Sequence, residues 1–90
     1  MRITGGTHRG RTLITPPDDK IRPTADKTRL AVFNMIESRG LVRGAVVMDV
    51  FCGTGALGIE AISRGALSCT FVDQSPVAIT LARRNAAALS

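Results

Sequence analysis

Two acidic residues bracket a glycine-rich stretch near the middle of the chain, and their spacing suits the binding of a nucleotide-like cofactor. The glycines have the G-x-G-x-x-G spacing of a nucleotide-binding turn, at Gly53, Gly55 and Gly58. Asp49 lies four residues before the first glycine, and Asp73 lies 20 residues after it. An acid at the second distance commonly accepts hydrogen bonds from ribose hydroxyls. The pattern therefore predicts a site for a cofactor that contains ribose.

Asp49 favours S-adenosylmethionine over a dinucleotide as that cofactor. Its carboxylate would repel a pyrophosphate held in the turn, whereas it would attract the cationic amino group of S-adenosylmethionine. S-adenosylmethionine carries no phosphate, so the order D-x-x-x-G-x-G suits it. A plainer alternative is that Asp49 hydrogen-bonds the backbone of its own turn, and this role is compatible with cofactor binding. An NAD-dependent oxidoreductase remains the less favoured alternative.

The residues around the two acids predict an α/β fold with parallel strands. The apolar run 46–51 is typical of a central strand covered on both faces, and 68–72 is a second β-prone run that ends before Asp73. Three helices are predicted, over residues 25–39, over residues 56–64 and from residue 76 to the end. The order strand, helix, strand, helix predicts part of a Rossmann-like, doubly wound sheet.

Residues that typically begin or end helices mark the predicted boundaries. Thr24 is predicted as the N-cap of the first helix, with Asp26 favourable near its positive end and Gly40 as its stop. Ser75 is predicted as the N-cap of the third helix, with Pro76 at its first helical position.

Apolar residues at helical spacing predict which helix faces are buried. The residues expected to pack are Leu30, Ala31, Phe33, Met35 and Ile36 in the first helix and Leu57, Ala61 and Ile62 in the second. The third helix is predicted to run through Ala78, Leu81, Ala82 and Ala86. Glu60 is expected to face solvent. Lys27 and Arg29 are expected on a polar face of the first helix that is solvated or faces a substrate.

Residues 1–24 are predicted to form a small basic unit ahead of an α/β domain that covers residues 25–90. Two short β-prone runs, 2–4 and 11–15, flank the sequence G-G-T-H-R-G. This arrangement predicts a β-hairpin with a flexible basic tip.

The net charge of the chain is concentrated in its first half. Residues 1–44 hold nine Lys/Arg and four Asp/Glu, whereas residues 45–90 hold three of each, so the whole net charge of +5 precedes the glycine turn. Such asymmetry favours a polyanionic partner, most often nucleic acid, over a merely solvated basic face. Arg9 and Arg11 are the predicted phosphate contacts. His8 is expected at the surface or against a phosphate, because no neighbouring carboxylate would orient it for catalysis.

Composition narrows the class of protein further. A chain of 90 residues is expected to form one domain. No apolar run approaches the length of a membrane span, and the N-terminus lacks the apolar segment of a signal peptide, so a cytoplasmic location is expected. Cys52 and Cys69 are expected to be reduced and to bind no metal. A small side chain packed beneath the turn is favoured for Cys52 over a nucleophile.

Three stretches together resemble the N-terminal half of the RsmD-type 16S ribosomal RNA guanine-N2 methyltransferases. They are R-I-T-G-G-T-H-R-G-R at 2–11, R-P-T-A-D-K-T-R-L-A-V-F-N at 22–34 and D-V-F-C-G-T-G-A-L-G-I-E-A-I-S-R-G at 49–65. The glycine-rich stretch alone is similar to many methyltransferases, and the R-P-T stretch before it makes the resemblance more specific. Cys52 departs from the alanine expected at its position.

The resemblance implies a partial Rossmann-like methyltransferase fold that binds S-adenosylmethionine and ribosomal RNA. Asp49, Gly53 and Gly55 would lie on the methionine side of the cofactor and Asp73 at its ribose. Arg22 and Thr24 match a loop that closes near the cofactor and the active site. The full set of implied cofactor contacts is Asp49, Phe51, Gly53, Thr54, Gly55, Asp73, Arg22 and Thr24, and the implied RNA contacts are Arg9, Arg11 and Arg22.

The same resemblance implies that the catalytic residues lie elsewhere. Members of the family carry an Asn/Asp-Pro-Pro-aromatic motif after a further strand, which would lie beyond Ser90, so no catalytic residue is nominated within residues 1–90. The chain is expected to be inactive alone, with an exposed apolar sheet edge that further chain or self-association would cover. A non-enzymatic module that binds RNA through residues 2–29 is the alternative from another functional class.

Overall fold

A computed structural model describes residues 1–15 and 25–89, and the order of its elements matches the sequence prediction. These elements are helix α1 Asp26–Ser38, strand β1 Val46–Val50, helix α2 Ala56–Ser63, strand β2 Ser68–Val72 and helix α3 Pro76–Ala87. The strands pair in parallel, with Val46 opposite Ser68 and Val50 opposite Val72. Helix α2 makes the crossover between them, as a parallel pair requires. The predicted α/β class is confirmed.

The predicted N-cap residue is confirmed for helix α3 and is wrong for helix α1. Helix α3 begins as predicted, since the Ala78 amide donates to Ser75 Oγ at 3.3 Å and Pro76 stands at the first helical position. The prediction of Thr24 as the N-cap of α1 is wrong. Ala25 occupies that position and provides no side-chain cap.

Helix α1 packs through a narrower stripe than its apolar pattern predicts. Phe33 is buried with Val42 and Ala61, and Ile36 is half-buried beside them. The other predicted packing residues of this helix, Leu30, Ala31 and Met35, are exposed. The buried residues of α1 are Arg29 and Phe33, one helical turn apart. The face that points at α2 is therefore centred on this pair.

Strand β1 is covered on one face only within the described chain. Val46, Met48 and Val50 alternate along the strand and are 77%, 65% and 50% exposed. Asp49 points to the opposite face and is buried. Within the described residues, 1–15 and 25–89, the prediction that β1 is covered on both faces is therefore wrong.

The N-terminal segment is a hairpin-like turn that contributes to the core. One antiparallel bridge joins Arg2 to Thr12, and the Ile3 amide donates to the Arg11 carbonyl at 3.0 Å. This turn stays outside the β1–β2 sheet. Its side chains Ile3 and Leu13 are nevertheless buried, in one cluster with Ala56 and Ile59 of α2. The segment therefore completes the packing of α2, and the boundary at residue 24 remains a prediction.

The tip of this turn is fixed to the C-terminal end of α2, so the prediction of a flexible tip is wrong. The Thr7 amide donates to the Ser63 carbonyl at 2.8 Å, and the His8 amide donates to Ser63 Oγ at 3.0 Å. Ser63 Oγ in turn donates to the Gly5 carbonyl at 2.6 Å. A helix end leaves carbonyls without intrahelical partners, and the tip supplies donors for them.

None of the helices in the described ranges has the length and apolar character needed to cross a membrane.

Candidate cofactor site and basic surface

The glycine turn joins the carboxyl end of β1 to the first residue of α2. Gly53 and Gly55 have φ angles of 55° and 82°, in the left-handed region that glycine adopts without strain. The Gly55 amide donates to the Cys52 carbonyl at 2.8 Å, which closes the turn, and Gly55 stands at the N-cap position of α2. The predicted sharp turn is therefore present where the strand ends.

The second and third glycines allow close packing around the turn. A Cβ at Gly55 would lie 2.9 Å from Ala82 Cβ of α3. A Cβ at Gly58 would lie 2.5 Å from Cys69 Sγ and 2.7 Å from Phe71 Cε1 of β2. All three distances are shorter than carbon and sulfur atoms allow without movement. The absence of a side chain at Gly58 therefore allows α2 to pack closely against β2.

Asp49 lies in β1 just before the turn, and its side chain braces the start of α2. Its Oδ2 accepts a hydrogen bond from the Gly58 amide at 3.0 Å, so the plainer role considered for this residue is present. Burial raises the pKa of Asp49, outweighing that hydrogen bond, and the charge of Asp73 adds to the rise. The ionised form of Asp49 is therefore disfavoured at this site. A cation placed beside Asp49 would favour the ionised carboxylate and lower its pKa.

Asp73 braces the other side of the same turn. Its Oδ2 accepts from the Gly53 amide at 3.0 Å, and its Oδ1 accepts from the Ser75 amide at 2.9 Å. Hydrogen bonds from Ser75 and Gly53 lower the pKa of Asp73. Each carboxylate oxygen has a second lone pair, so Asp73 keeps acceptor capacity for a ligand hydroxyl. The structure thus brings both predicted acids to one turn, with opposite pKa shifts.

Phe51 is held in an unusual backbone conformation at the mouth of the turn. Its φ of 57° is the one positive value among the non-glycine residues that the structure describes. Bulky residues avoid this region, and such outliers cluster at ligand sites and switch regions. The side chain is 77% exposed beside the turn. This placement leaves the ring accessible to a ligand or to a further part of the protein.

Thr54 and Cys52 both point into the protein rather than out of the turn. The Thr54 hydroxyl donates to Met1 Sδ at 3.7 Å and is buried, so the hydroxyl of this predicted cofactor residue faces the N-terminal segment. Burial raises the pKa of the Cys52 thiol, and the charges of Asp49 and Asp73 add to the rise. A nucleophilic cysteine needs a lowered pKa, so the packed role of Cys52 is favoured.

Three of the predicted basic surface residues, Arg9, Arg11 and Lys27, are exposed. Arg9 and Arg11 lie on the turn, and Arg11 Nη2 donates to the Ala88 carbonyl at 3.0 Å after the last turn of α3. Lys27 is exposed on α1, as expected of a polar face.

Three positions that matter to the predicted site lie outside the described residues. They are Arg22 and Thr24, the implied contacts of the loop near the cofactor, and Ser90, beyond which the catalytic motif is expected. The contacts of Arg22 and Thr24 therefore stay predictions. The placement of the catalytic residues beyond Ser90 stays a prediction as well.

The prediction that Glu60 faces solvent is wrong. Instead of facing solvent, its side chain is 0% exposed and lies between two buried arginines of α1 and of the α2 C-cap. Its Oε1 accepts from Arg29 Nε at 3.1 Å, and its Oε2 accepts from Arg64 Nε at 2.8 Å. The expectation that Arg29 lies on a solvated or substrate-facing surface is also wrong. Glu60 and Arg64 have the i,i+4 spacing of a helical ion pair, which was the signal available in the sequence.

The buried ion network also holds the N-terminal segment. The Thr4 and Gly5 amides each donate to Glu60 at 2.9 Å, and Arg29 Nη2 donates to the Arg2 carbonyl. Burial alone would raise the pKa of Glu60. Hydrogen bonds from Arg64, Thr4 and Arg29 outweigh it and hold that pKa below its usual range. The network thus joins α1, α2 and the N-terminal turn through one carboxylate.

A metal site finds no support in the part of the chain that the structure describes. Across residues 1–15 and 25–89, no three His, Cys, Asp or Glu side chains lie close enough to hold an ion. Cys52 and Cys69 are free thiols.

Known sequences related to this chain are methyltransferases by name. The family model described as conserved hypothetical protein 95 matches residues 1–90. The putative rRNA methyltransferase YlbH of Bacillus subtilis is 41% identical over 85 residues, covering 94% of this chain and 45% of that protein. Ribosomal RNA small subunit methyltransferase D of Escherichia coli is 41% identical over 73 residues, covering 81% of this chain and 36% of that protein.

A solved structure shows the same fold. The putative methyltransferase yhhF from Escherichia coli superposes with a TM-score of 0.83 at 34% identity, covering 99% of this chain and 46% of that one. This likeness confirms the predicted fold class, a partial Rossmann-like methyltransferase fold. The chain spans less than half the length of these relatives.

Proposed function

This chain belongs to the family of RsmD-type ribosomal RNA methyltransferases, and we propose that it forms the cofactor-binding and RNA-docking half of such an enzyme. The reaction is the transfer of a methyl group from S-adenosylmethionine to the exocyclic N2 of a guanine in small-subunit ribosomal RNA. The observation that carries the proposal is the placement of Asp49 and Asp73 on either side of one glycine turn.

The residues of the turn fit S-adenosylmethionine. Gly53 and Gly55 allow a ligand to approach the backbone closely. The pKa of Asp49 is raised, so its ionised carboxylate would be stabilised by the cationic amino group of the cofactor. Asp73 has acceptor capacity for the ribose hydroxyls. When bound, the cofactor supplies an activated methyl group on a sulfonium. In this proposal these residues bind and orient it, and the groups that act on the guanine lie beyond Ser90.

RNA is the proposed partner because of charge and placement. The N-terminal portion carries the whole net charge of +5, and Arg9 and Arg11 are exposed on its turn. The related proteins are named as ribosomal RNA methyltransferases. Arg22 is proposed as a further contact. Self-association through the exposed face of β1 remains a prediction.

Substituting Asp49 with asparagine is expected to weaken S-adenosylmethionine binding without weakening the fold. Loss of a charge-assisted hydrogen bond of about 1.5–3 kcal/mol corresponds to a dissociation constant roughly 10- to 100-fold higher. Asparagine Oδ1 still accepts from the Gly58 amide. Because the folded-state pKa of Asp49 is raised, its ionised form costs stability above that pKa, and asparagine removes the cost.

Calorimetric titration of the full-length protein, together with urea unfolding, tests this expectation. The matched control is Glu37→Gln, which removes one negative charge from a half-exposed side chain of α1. S-adenosylmethionine binding by Asp49→Asn within twofold of the wild type would contradict the assigned role of the carboxylate. Tighter binding of NADH than of S-adenosylmethionine by the wild type would favour the oxidoreductase alternative.

Replacing both Arg9 and Arg11 with glutamine is expected to weaken RNA binding and its dependence on salt. Each lost phosphate contact lowers the slope of log affinity against log salt by about 0.7–0.9. Arg83→Gln is the control, since this exposed arginine lies on α3 in the neutral half of the chain. Filter binding of a ribosomal RNA fragment at several salt concentrations measures both quantities. An unchanged slope in the double variant would exclude the N-terminal turn as an RNA contact.

A further inference from the structure

Asn85 is a buried polar side chain that the proposed function does not use. It lies in α3, one helical turn after Ala82 packs against Gly55, and it is 2% exposed. Burial of an amide costs free energy unless its groups are hydrogen-bonded. The partners of Asn85 therefore indicate what the residue holds in place.

The amide of Asn85 joins two segments that are far apart in sequence. Its Oδ1 accepts from the Ile14 amide at 2.6 Å, and its Nδ2 donates to the Ile14 carbonyl at 3.1 Å. This pairing resembles that of a neighbouring strand, because both backbone groups of one residue are satisfied. The second Nδ2 proton is donated to the Thr54 carbonyl at 2.9 Å. Both donors of the amide are thereby used, and its orientation is fixed by the Ile14 amide, which requires an acceptor.

The two partners lie in the two parts of the proposed site. Thr54 stands between the positive-φ glycines of the turn, so its carbonyl direction is part of the geometry of that turn. Ile14 is near the end of the N-terminal segment that carries Arg9 and Arg11. One side chain thus connects the cofactor turn to the basic segment.

We infer that Asn85 is a positioning residue that fixes the glycine turn and the basic N-terminal segment relative to each other. This inference rests on the proposed function. A carboxylate in its place could still accept from the Ile14 amide, but it would face the carbonyls of Ile14 and Thr54 with no proton to donate. Asn85→Asp therefore breaks the link to Thr54 and weakens the link to Ile14 while keeping the size of the side chain. Asn85→Ala removes all three hydrogen bonds without adding a charge.

Calorimetry and hydrogen exchange on the full-length protein test the inference. Asn85→Asp, or Asn85→Ala if the aspartate variant does not fold, is expected to raise the dissociation constant for S-adenosylmethionine about tenfold at a temperature where the variant is fully folded. Amide exchange is expected to accelerate at residues 13–15 and 53–58 together. The control is Phe33→Leu. This substitution is expected to lower the free energy of unfolding by disturbing a separate buried cluster, which Phe33 forms with Val42 and Ala61. It should change neither the dissociation constant nor the exchange of these two segments.

The outcomes separate this inference from the function on which it rests. A wild type that binds no S-adenosylmethionine would overturn both. A wild type that binds it, with Asn85 variants that bind equally well, would overturn the inference alone. Faster exchange in only one of the two segments would also overturn it, because the coupling would then be absent.

Discussion

Glu60→Gln is expected to lower the free energy of unfolding by about 3–5 kcal/mol, the typical cost of breaking a buried ion pair by changing one partner. The carboxylate accepts from Arg29, Arg64 and the Thr4 and Gly5 amides, and its side chain is 0% exposed. Glutamine keeps the shape but removes the charge and replaces one acceptor oxygen with a donor. That NH₂ group would face donors of the network.

Glu37→Gln is the matched control for this prediction. Glu37 also pairs with Arg64, with Oε2 at 3.3 Å from Nη1, but its side chain is 46% exposed. Exposed pairs contribute about 0–1 kcal/mol. Urea unfolding of both variants in the full-length protein compares the same chemical change at a buried and at a solvated site. Equal losses in the two variants would show that burial of Glu60 does not increase the free-energy cost of removing its charge.

The effect of Glu60 on stability should depend on pH in one direction. Its pKa is lowered in the folded protein, so its contribution is fully present above the ordinary value of a glutamate carboxyl, 4.5. The contribution is lost as pH falls through the folded-state pKa. The difference between wild type and Glu60→Gln should therefore be full near neutral pH and narrow as the pH falls below that ordinary value. A difference that grows on acidification would contradict the assigned pKa direction.

Gly6→Ala is the second substitution with a large expected effect, about 2–5 kcal/mol of destabilisation. Gly6 has a φ of +81°, and a Cβ there would lie 1.9 Å from the Ser63 carbonyl oxygen and 2.7 Å from the Arg64 nitrogen. Both obstacles are backbone atoms at the end of α2, so they cannot rotate away as a side chain could. The tip would have to leave the helix end, and its hydrogen bonds to Ser63 would be lost.

Gly10→Ala separates the backbone strain from the collision. Gly10 has a similar φ of +87°, but a Cβ there would meet nothing within 4 Å. Its expected cost is the left-handed strain alone, about 1–2 kcal/mol. Thermal or urea unfolding of the two variants gives the difference. If Gly6→Ala costs no more than Gly10→Ala, the tip is not held against α2 in solution.

Much of the local structure could be predicted because its causes are local. The strand at Val46–Val50, the positive φ angles of Gly53 and Gly55 and the start of α3 at Ser75 depend on residues a few positions apart. Hydrophobic runs, glycine conformations and proline positions are readable at that range. Both acids lie beside the turn because each is near the end of one of the two parallel strands, and these strands end at one edge of the sheet.

The order of the elements and the position of the candidate cofactor turn can be predicted from local sequence alone. The burial of individual polar residues depends instead on contacts made in the tertiary structure. Glu60 meets Arg29 from 31 positions away, and Asn85 meets Ile14 from 71 positions away. A charged or amide side chain on a helix is stable in the interior only if distant groups arrive to satisfy it. Whether they arrive depends on how the N-terminal segment packs against α2 and α3, and no local pattern contains that information.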